Sequence, residues 1–220
     1  MFAVSAPTPS SRSQRQMSWR HGALSAVRPA SRAGTSSVVA CLSPNVLLAA
    51  LEPTTGLAIW RRPARGGFRR AIQAALTQAP FCEVAEGPLD HAARALLRGM
   101  PVAMRPLGVD IMLLGRLFAT LTGRPTVRFR LEHVADDACR RHHMDAVRLR
   151  LLCTYAGLGT DWIDPDGTPC RMAAFHVGIF KGTKFPDAAP RILHRSPLVE
   201  HLPQRLRSRI LLCIDQLGAF

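Results

Sequence analysis

The pattern of hydrophobic and polar positions changes period along the chain, at Pro125. Before it, apolar residues recur three and four positions apart in GGFRRAIQAALTQ, PLDHAARALLRG and PLGVDIMLLGRLFATLTG. This is the spacing of one face of a helix. Gly99 and Gly123 follow the second and third segments and can stop those helices. The part from about 45 to 123 is therefore predicted to be helical.

After Pro125 the apolar positions alternate with polar ones, as in TVRFRLEHV and AVRLRLLCTY. A period of two indicates strands with one face in the core and one in water. In the second segment Leu149, Leu151 and Tyr155 share the apolar face. The side chains of Arg148 and Arg150 are predicted to lie on the opposite face, in solvent. HVGIFKG, RILHRSP and SRILLCID predict three more short strands, and GLGTDWIDPDG predicts a turn-rich connection.

These strands, at about 125–217, have no helical pattern between them, which favours an antiparallel sandwich or barrel. With 220 residues and 47% hydrophobic content, the chain can bury one substantial core. We therefore expect a single globular domain over 45–220. No apolar run approaches the ~20 residues that span a bilayer. The six cysteines include no Cys-x-x-Cys pair, which argues against a disulfide framework and suits a reducing cytoplasm.

The segment 1–44 is rich in Ser, Ala and Arg, and the first acidic residue of the chain is Glu52. This composition is typical of a transit peptide. A disordered basic tail, or translated upstream sequence before a later start at Met17 or beyond, is favoured over a transit peptide, because the segment has no signal-peptide apolar core and cannot bury enough surface to fold.

The formal charge of +14 favours polyanionic partners. The arginines are dispersed, however, and no basic helix, set of stacking aromatics or zinc-finger spacing accompanies them. Nucleic-acid binding is therefore kept as the third hypothesis for function and is not favoured.

One short motif could carry chemistry, the pair His143 and Asp145 in RRHHMDAVRLRLLCTY. Residues two apart in a strand point to the same side and could reach one ion. His194 in RILHRSP offers a third ligand, and two histidines with one carboxylate form the facial triad of non-haem Fe(II) sites. The alternative makes His194 a core histidine and pairs Asp145 with Arg148 or Arg150 on the surface.

Fifteen residues after His194, Arg209 lies on the last predicted strand. A buried arginine there could hold a carboxylate by two parallel hydrogen bonds, as enzymes with such iron sites commonly hold 2-oxoglutarate. The second hypothesis is a non-catalytic metal-binding protein linked to zinc handling, because thiolate and imidazole suit zinc. Its ligands would be Cys139, His142, His143 and His194, and a shifted strand register would also make His142 a ligand.

The segments CRRHHMDAVRLRLLCTYAGLGTDWI, IFKG, LHRSP, RILLCID and LAIWRRP resemble the bacterial proteins grouped as domain of unknown function 1826. The likeness covers about 45–217 and names no activity. The same segments resemble, more distantly, the double-stranded β-helix of 2-oxoglutarate- and Fe(II)-dependent oxygenases. This implies an α+β fold in which a helical N-terminal half packs on a jelly-roll, cupin-like C-terminal half. It also implies His143, Asp145 and His194 as the iron ligands.

The oxygenase resemblance further implies a 2-oxoglutarate site on the last strands. Arg209 corresponds to the anchor of the cosubstrate carboxylate, and Arg207 is its rival. Tyr155 or Thr154 would supply a second hydrogen bond. The expected activity is that of a hydroxylase-type dioxygenase, and the sequence does not identify its substrate.

Overall fold

The computed structural model of the chain describes residues 37–64, 66–137, 139–186 and 190–217. Most of the segment 1–44, with the predicted tail or transit peptide, lies outside the described residues. Strand β1 (Val38–Cys41) lies within that segment, so regular structure begins before residue 45. None of the described helices is long and apolar enough to cross a membrane.

Three α-helices form where the helical spacing predicts them, namely α1 (Arg69–Leu76), α2 (Leu89–Gly99) and α3 (Gly108–Thr122). Helix α3 ends at Gly123, whose φ of 63° is left-handed and suits glycine. Shorter 3-10 helices cover Pro44–Leu51, Gly66–Phe68, Val102–Leu107 and Gln204–Leu206.

The prediction of a wholly helical first half is wrong, because two more strands lie between these helices. They are β2 (Leu57–Trp60) and β3 (Cys82–Pro88). Strand β2 is buried along most of its length, so its sequence is a short apolar run without the alternation that marks a half-exposed strand.

The second half is built of strands, as predicted, although β6 falls inside the segment read as a turn-rich connection. The strands are β4 (Thr126–Val134), β5 (Leu149–Ala156), β6 (Asp161–Ile163), β7 (Pro169–Arg171), β8 (Val177–Lys181), β9 (His194–Arg195) and β10 (Arg209–Gln216).

These strands form two sheets. The main sheet has seven strands in the order β1-β2-β8-β5-β10-β4-β3, and the small sheet has the order β7-β6-β9. Every pairing is antiparallel except that of β1 with β2. The antiparallel arrangement agrees with the sequence prediction.

Each face of the main sheet has its own hydrophobic core, because successive side chains of a strand point to opposite faces. The helix-side core joins Leu151 and Tyr155 of β5 to Phe118 of α3 and its neighbours. The inter-sheet core lies on the other face and includes Leu152, Trp162, Phe180 and Leu211. Even-numbered positions of β5 therefore face the small sheet.

Gly157 fixes the turn after β5 against the start of β10. Its φ is 79°, and a Cβ there would lie 2.4 Å from the Ser208 carbonyl oxygen and 2.9 Å from the Cα of Arg209. Only glycine allows this approach without strain. The turn thus positions Arg209 beside β5.

Candidate metal centre

Two separate segments of the chain meet at His143 and His194. Residues 146–148 are bends, so β5 begins only at Leu149 and the His143 segment is not its continuation. Instead His143 and His194 form an isolated antiparallel bridge, with His143 N–H donating to His194 O (3.0 Å) and His194 N–H to His143 O (2.9 Å). Directly opposed residues present their side chains on one face, and the two rings lie 4.8 Å apart.

Asp145 completes a compact group with these histidines, in which one ligand atom from each residue lies within 4.8 Å of the others. Asp145 Oδ2 is 2.9 Å from His194 Nε2, and Asp145 Oδ1 is 3.5 Å from His143 Nε2. The His194 side chain is 6% exposed, and that of His143 is 35% exposed. The group is therefore closed on the His194 side and open on the His143 side.

The donor atoms of this group fit a metal ion. Asp145 Oδ2 is buried and accepts no well-aligned hydrogen bond from the described residues, although His194 Nε2 is 2.9 Å away. Both atoms can therefore serve as ligands of one ion. His143 Nδ1 lies 3.0 Å from the Arg141 carbonyl. A proton on Nδ1 donated to that carbonyl leaves Nε2 free to bind metal.

Arg150 holds the other oxygen of the Asp145 carboxylate. It forms a salt bridge with Asp145 Oδ1 and a bidentate pair with Asp215 of β10, with Nε–Oδ1 and Nη2–Oδ2 both 2.7 Å. Burial raises the pKa of Asp145, but His194 and Arg150 outweigh it and hold that pKa at about 2. Asp145 is therefore ionised, as a metal ligand must be.

The assignment of Arg150 to the solvent side of the strand is wrong. Its side chain is 18% exposed and faces the same side as Leu152, toward the inter-sheet core. The bends at 146–148 break the period of two, so Asp145 joins the even-numbered side of β5 and not the apolar odd-numbered face. The pairing of Asp145 with Arg150 is real, but it is part of the group of ligands and not a surface contact.

Arg209 is a buried cation without a described counter-ion. It is 2% exposed, its Nε has no hydrogen-bond partner among the described residues, and its Nη2 donates to Thr154 Oγ1 at 3.4 Å. No carboxylate of the described residues forms a salt bridge with it. Burial lowers the pKa of Arg209 to about 10. An unpaired buried guanidinium is costly unless an anion satisfies it.

Tyr155 and Arg207 lie away from Arg209. The Tyr155 hydroxyl donates to Asp110 Oδ2 (2.8 Å) on the helix side of the sheet, where Asp110 also forms a bidentate pair with Arg62 at 2.6 and 2.7 Å. Arg207 Nε donates to the Leu202 carbonyl (2.8 Å). Of the four residues predicted for the cosubstrate, the structure brings Arg209 and Thr154 together.

The four-ligand zinc set is only partly assembled. Cys139 Sγ lies 3.5 Å from His143 Nδ1. The compact group of metal-binding side chains found among the described residues, however, consists of His143, Asp145 and His194, without Cys139 or His142.

The sequence analysis missed Asp215 and Phe180. Asp215 pairs with Arg150 across β10 and β5 in the strand register, and the Phe180 ring lies 4.6 Å from that of His194. An acidic residue directly after the apolar run ILLCI was the available signal for Asp215, because a buried carboxylate needs a cationic partner.

Comparison with known proteins places the chain among related folds. The family model described as "Protein of unknown function (DUF1826)" matches residues 42–215. No curated protein sequence matches the chain.

Two solved structures of plant enzymes are similar to it. Dioxygenase for auxin oxidation 1 from Arabidopsis thaliana, in complex with 2-oxoglutarate, is 12% identical, with 83% of this chain and 92% of that chain covered and a TM-score of 0.50. The dioxygenase for auxin oxidation from rice is 12% identical, with 82% of both chains covered and a TM-score of 0.51. At this identity the likeness shows the shared double-stranded β-helix fold alone.

Proposed function

The chain belongs to the DUF1826 family, and we propose that it is an Fe(II)- and 2-oxoglutarate-dependent oxygenase of the hydroxylase type. One observation carries the proposal. The buried Arg209, which has no counter-ion among the described residues, faces the same inter-sheet core that borders the His143, Asp145 and His194 group. This interior therefore holds a buried cation without a described counter-ion and a metal-binding group of two histidines and one carboxylate. Together they match a dianionic cosubstrate that also binds the metal.

His143, Asp145 and His194 would hold the iron through His143 Nε2, Asp145 Oδ2 and His194 Nε2. When bound, Fe(II) would supply the activation of dioxygen that is coupled to oxidative decarboxylation of 2-oxoglutarate. Arg150 occupies Asp145 Oδ1 and thereby leaves Oδ2 for the metal. The Arg141 carbonyl orients His143 in the same way.

Arg209 and Thr154 would bind the distal carboxylate of 2-oxoglutarate. A guanidinium presents two parallel N–H donors to a carboxylate, and the Thr154 hydroxyl, 3.4 Å from Nη2, can add a third donor. Binding also supplies the counter-charge that Arg209 lacks. This gain explains how a charged side chain that is 2% exposed can be retained in the fold.

The side chains around the metal-binding group shield it from water on the His194 side and leave it accessible on the His143 side. Phe180 packs against His194, and Trp162 and Leu211 fill the space behind it, so water is excluded there. His143 is the most exposed of the three ligands. We propose that the substrate approaches from the His143 side.

The experiment is anaerobic titration of the metal-free full chain with Fe(II) and 2-oxoglutarate, monitored by the weak visible charge-transfer band of the chelated cosubstrate. The band is expected in the wild type and in His142→Ala, the matched control from the neighbouring histidine. It is expected to be lost in His143→Ala. A wild-type protein that binds Fe(II) but produces no band would overturn the proposed cosubstrate.

Zinc binding without turnover is the second candidate. It is favoured by the contact of Cys139 Sγ with His143 Nδ1, since thiolate and imidazole are both zinc ligands. Tight zinc binding that Cys139→Ser weakens, together with no 2-oxoglutarate-dependent band, would favour this candidate over the oxygenase.

A further inference from the structure

A cavity of about 400 Å³ lies on the other face of the main sheet from the metal centre. Leu76 at the end of α1 and His133 near the end of β4 line it, together with Arg207 and Ser208 just before β10. His133 pairs in register with Ile210, and both side chains face the helix-side core. Arg209 pairs with Val134 and faces the opposite way, so the sheet separates the two sites.

His133 is a buried polar side chain without a hydrogen-bond partner. It is 4% exposed, and neither Nδ1 nor Nε2 is hydrogen-bonded among the described residues. Burial lowers the pKa of His133; the Ala79 carbonyl opposes this shift but is not in hydrogen-bond geometry. Both ring nitrogens are inaccessible, so His133 lines the cavity as part of its wall and not as a hydrogen-bonding group.

Arg207 supplies the charge of the cavity. Its Nε is fixed by the Leu202 carbonyl at 2.8 Å, which orients the guanidinium. No described carboxylate pairs with Arg207, and neither Asp nor Glu is among the residues that line the cavity. The local charge is therefore positive and uncompensated, which favours an anion.

The remaining lining combines polar and apolar groups. The Ser208 hydroxyl and the amides of Gln78 and Gln204 offer hydrogen bonds, while Leu76 and Pro80 offer apolar contact. A volume of about 400 Å³ lies within the range of small-molecule sites. The combination of one cation, several neutral donors and an apolar wall suits an organic anion better than an inorganic one.

We propose that this cavity is a binding site for a small organic carboxylate, with Arg207 and Ser208 holding the carboxylate and the amides of Gln78 and Gln204 bonding a second polar group. The site is distinct from the proposed cosubstrate site and does not depend on it. Arg207 and Arg209 are two positions apart in the sequence, but Arg207 lines the cavity on the helix side of the sheet and Arg209 faces the inter-sheet core.

The test is isothermal titration calorimetry of the full-length protein with acetate, succinate and benzoate. Benzamide serves as the uncharged counterpart of benzoate. At least one carboxylate is expected to bind saturably, and benzamide is expected to bind at least 10-fold more weakly than benzoate where benzoate binds. Arg207→Gln should reduce the affinity at least 10-fold, while Arg207→Lys keeps part of it. Arg148→Gln, which removes a guanidinium outside the lining of this cavity, is the matched control and should leave it unchanged.

Nuclear magnetic resonance of the histidine C2 protons locates the ligand independently. The His133 signal, assigned by its disappearance in His133→Phe, should shift on titration. The proposal is overturned if no carboxylate binds the wild type, if Arg207→Gln binds as tightly as the wild type, or if Arg209→Gln removes the binding. The last result would assign the ligand to the inter-sheet site.

Discussion

Asp145 Oδ2 and His194 Nε2 lie 2.9 Å apart, and Oδ2 accepts no well-aligned hydrogen bond in the part of the chain that the structure describes. The contact joins two segments that are far apart in the sequence, and the His143–His194 backbone bridge holds it in place. Arg150 binds the other carboxylate oxygen, Oδ1. The protein therefore leaves Oδ2 as the oxygen with which Asp145 can bind a metal.

Asp145→Ala is expected to abolish Fe(II) binding and leave the chain folded, because it removes one of three ligands. The loss should exceed the roughly 10–100-fold that is typical of outer-shell changes. Fe(II) affinity measured anaerobically, with circular dichroism for folding, checks it. Asp136→Ala removes an exposed carboxylate and should bind iron normally. An unchanged Fe(II) affinity in Asp145→Ala would remove Asp145 from the site.

Arg209→Gln is expected to weaken 2-oxoglutarate by about 2–5 kcal/mol, the usual effect of truncating one partner of a buried charge pair. Fe(II) affinity should hardly change, since Arg209 is not a ligand. Arg207→Gln is the matched control, because Arg207 donates a hydrogen bond to the Leu202 carbonyl and lines the cavity on the helix side of the sheet. If Arg207→Gln is the variant that loses 2-oxoglutarate, the assignment of the anchor is reversed.

Arg150→Met is expected to reduce Fe(II) affinity by about 10–100-fold, because Arg150 orients a metal ligand without touching the metal. Asp215→Asn should act in the same direction, since Asp215 holds Arg150 through two hydrogen bonds. Arg148→Met, which removes a guanidinium lying over the Phe185 ring, should leave Fe(II) affinity unchanged. Equal affinities in Arg150→Met and Arg148→Met would exclude the positioning role.

Tyr155→Phe is expected to lower the free energy of unfolding by about 1–3 kcal/mol, because it leaves buried Asp110 with one hydrogen bond fewer. It should not change 2-oxoglutarate affinity. Thr154→Val, the neighbouring change on the other face, should weaken 2-oxoglutarate. Chemical denaturation and cosubstrate titration on both variants separate the two faces, and reduced 2-oxoglutarate affinity in Tyr155→Phe would contradict the strand orientation.

Gly157→Ala is expected to destabilise the fold by more than Gly167→Ala. Both glycines have a left-handed φ, 79° and 85°, so both variants bear the conformational cost of about 1–3 kcal/mol. Only at Gly157 would the new Cβ also meet the Ser208 carbonyl at 2.4 Å; at Gly167 nothing lies within 4 Å. Thermal unfolding measures the difference, and equal shifts in Tm would show that the close approach is unimportant.

Several features of the fold were predictable because they are local. The helical spacing of α1, α2 and α3 and the alternation in β4 depend only on neighbouring residues. Strand β2 was not predictable in this way, because it is buried on both faces and its four residues give no period. Helix and strand cannot be distinguished by periodicity in so short a run.

The sequence by itself determined which residue types could form the site and their order along the chain: His143, Asp145, His194 and then Arg209. Tertiary structure alone decided how they meet. The bends at 146–148 move Asp145 to the even-numbered side of β5, and the packing of two sheets puts Arg150 and Asp215 beside it while Tyr155 and Arg207 face elsewhere. The physical reason is that the alternation of apolar and polar residues specifies only which residues share a face of a strand. Whether a face is buried against helices or against a second sheet is a property of the whole fold.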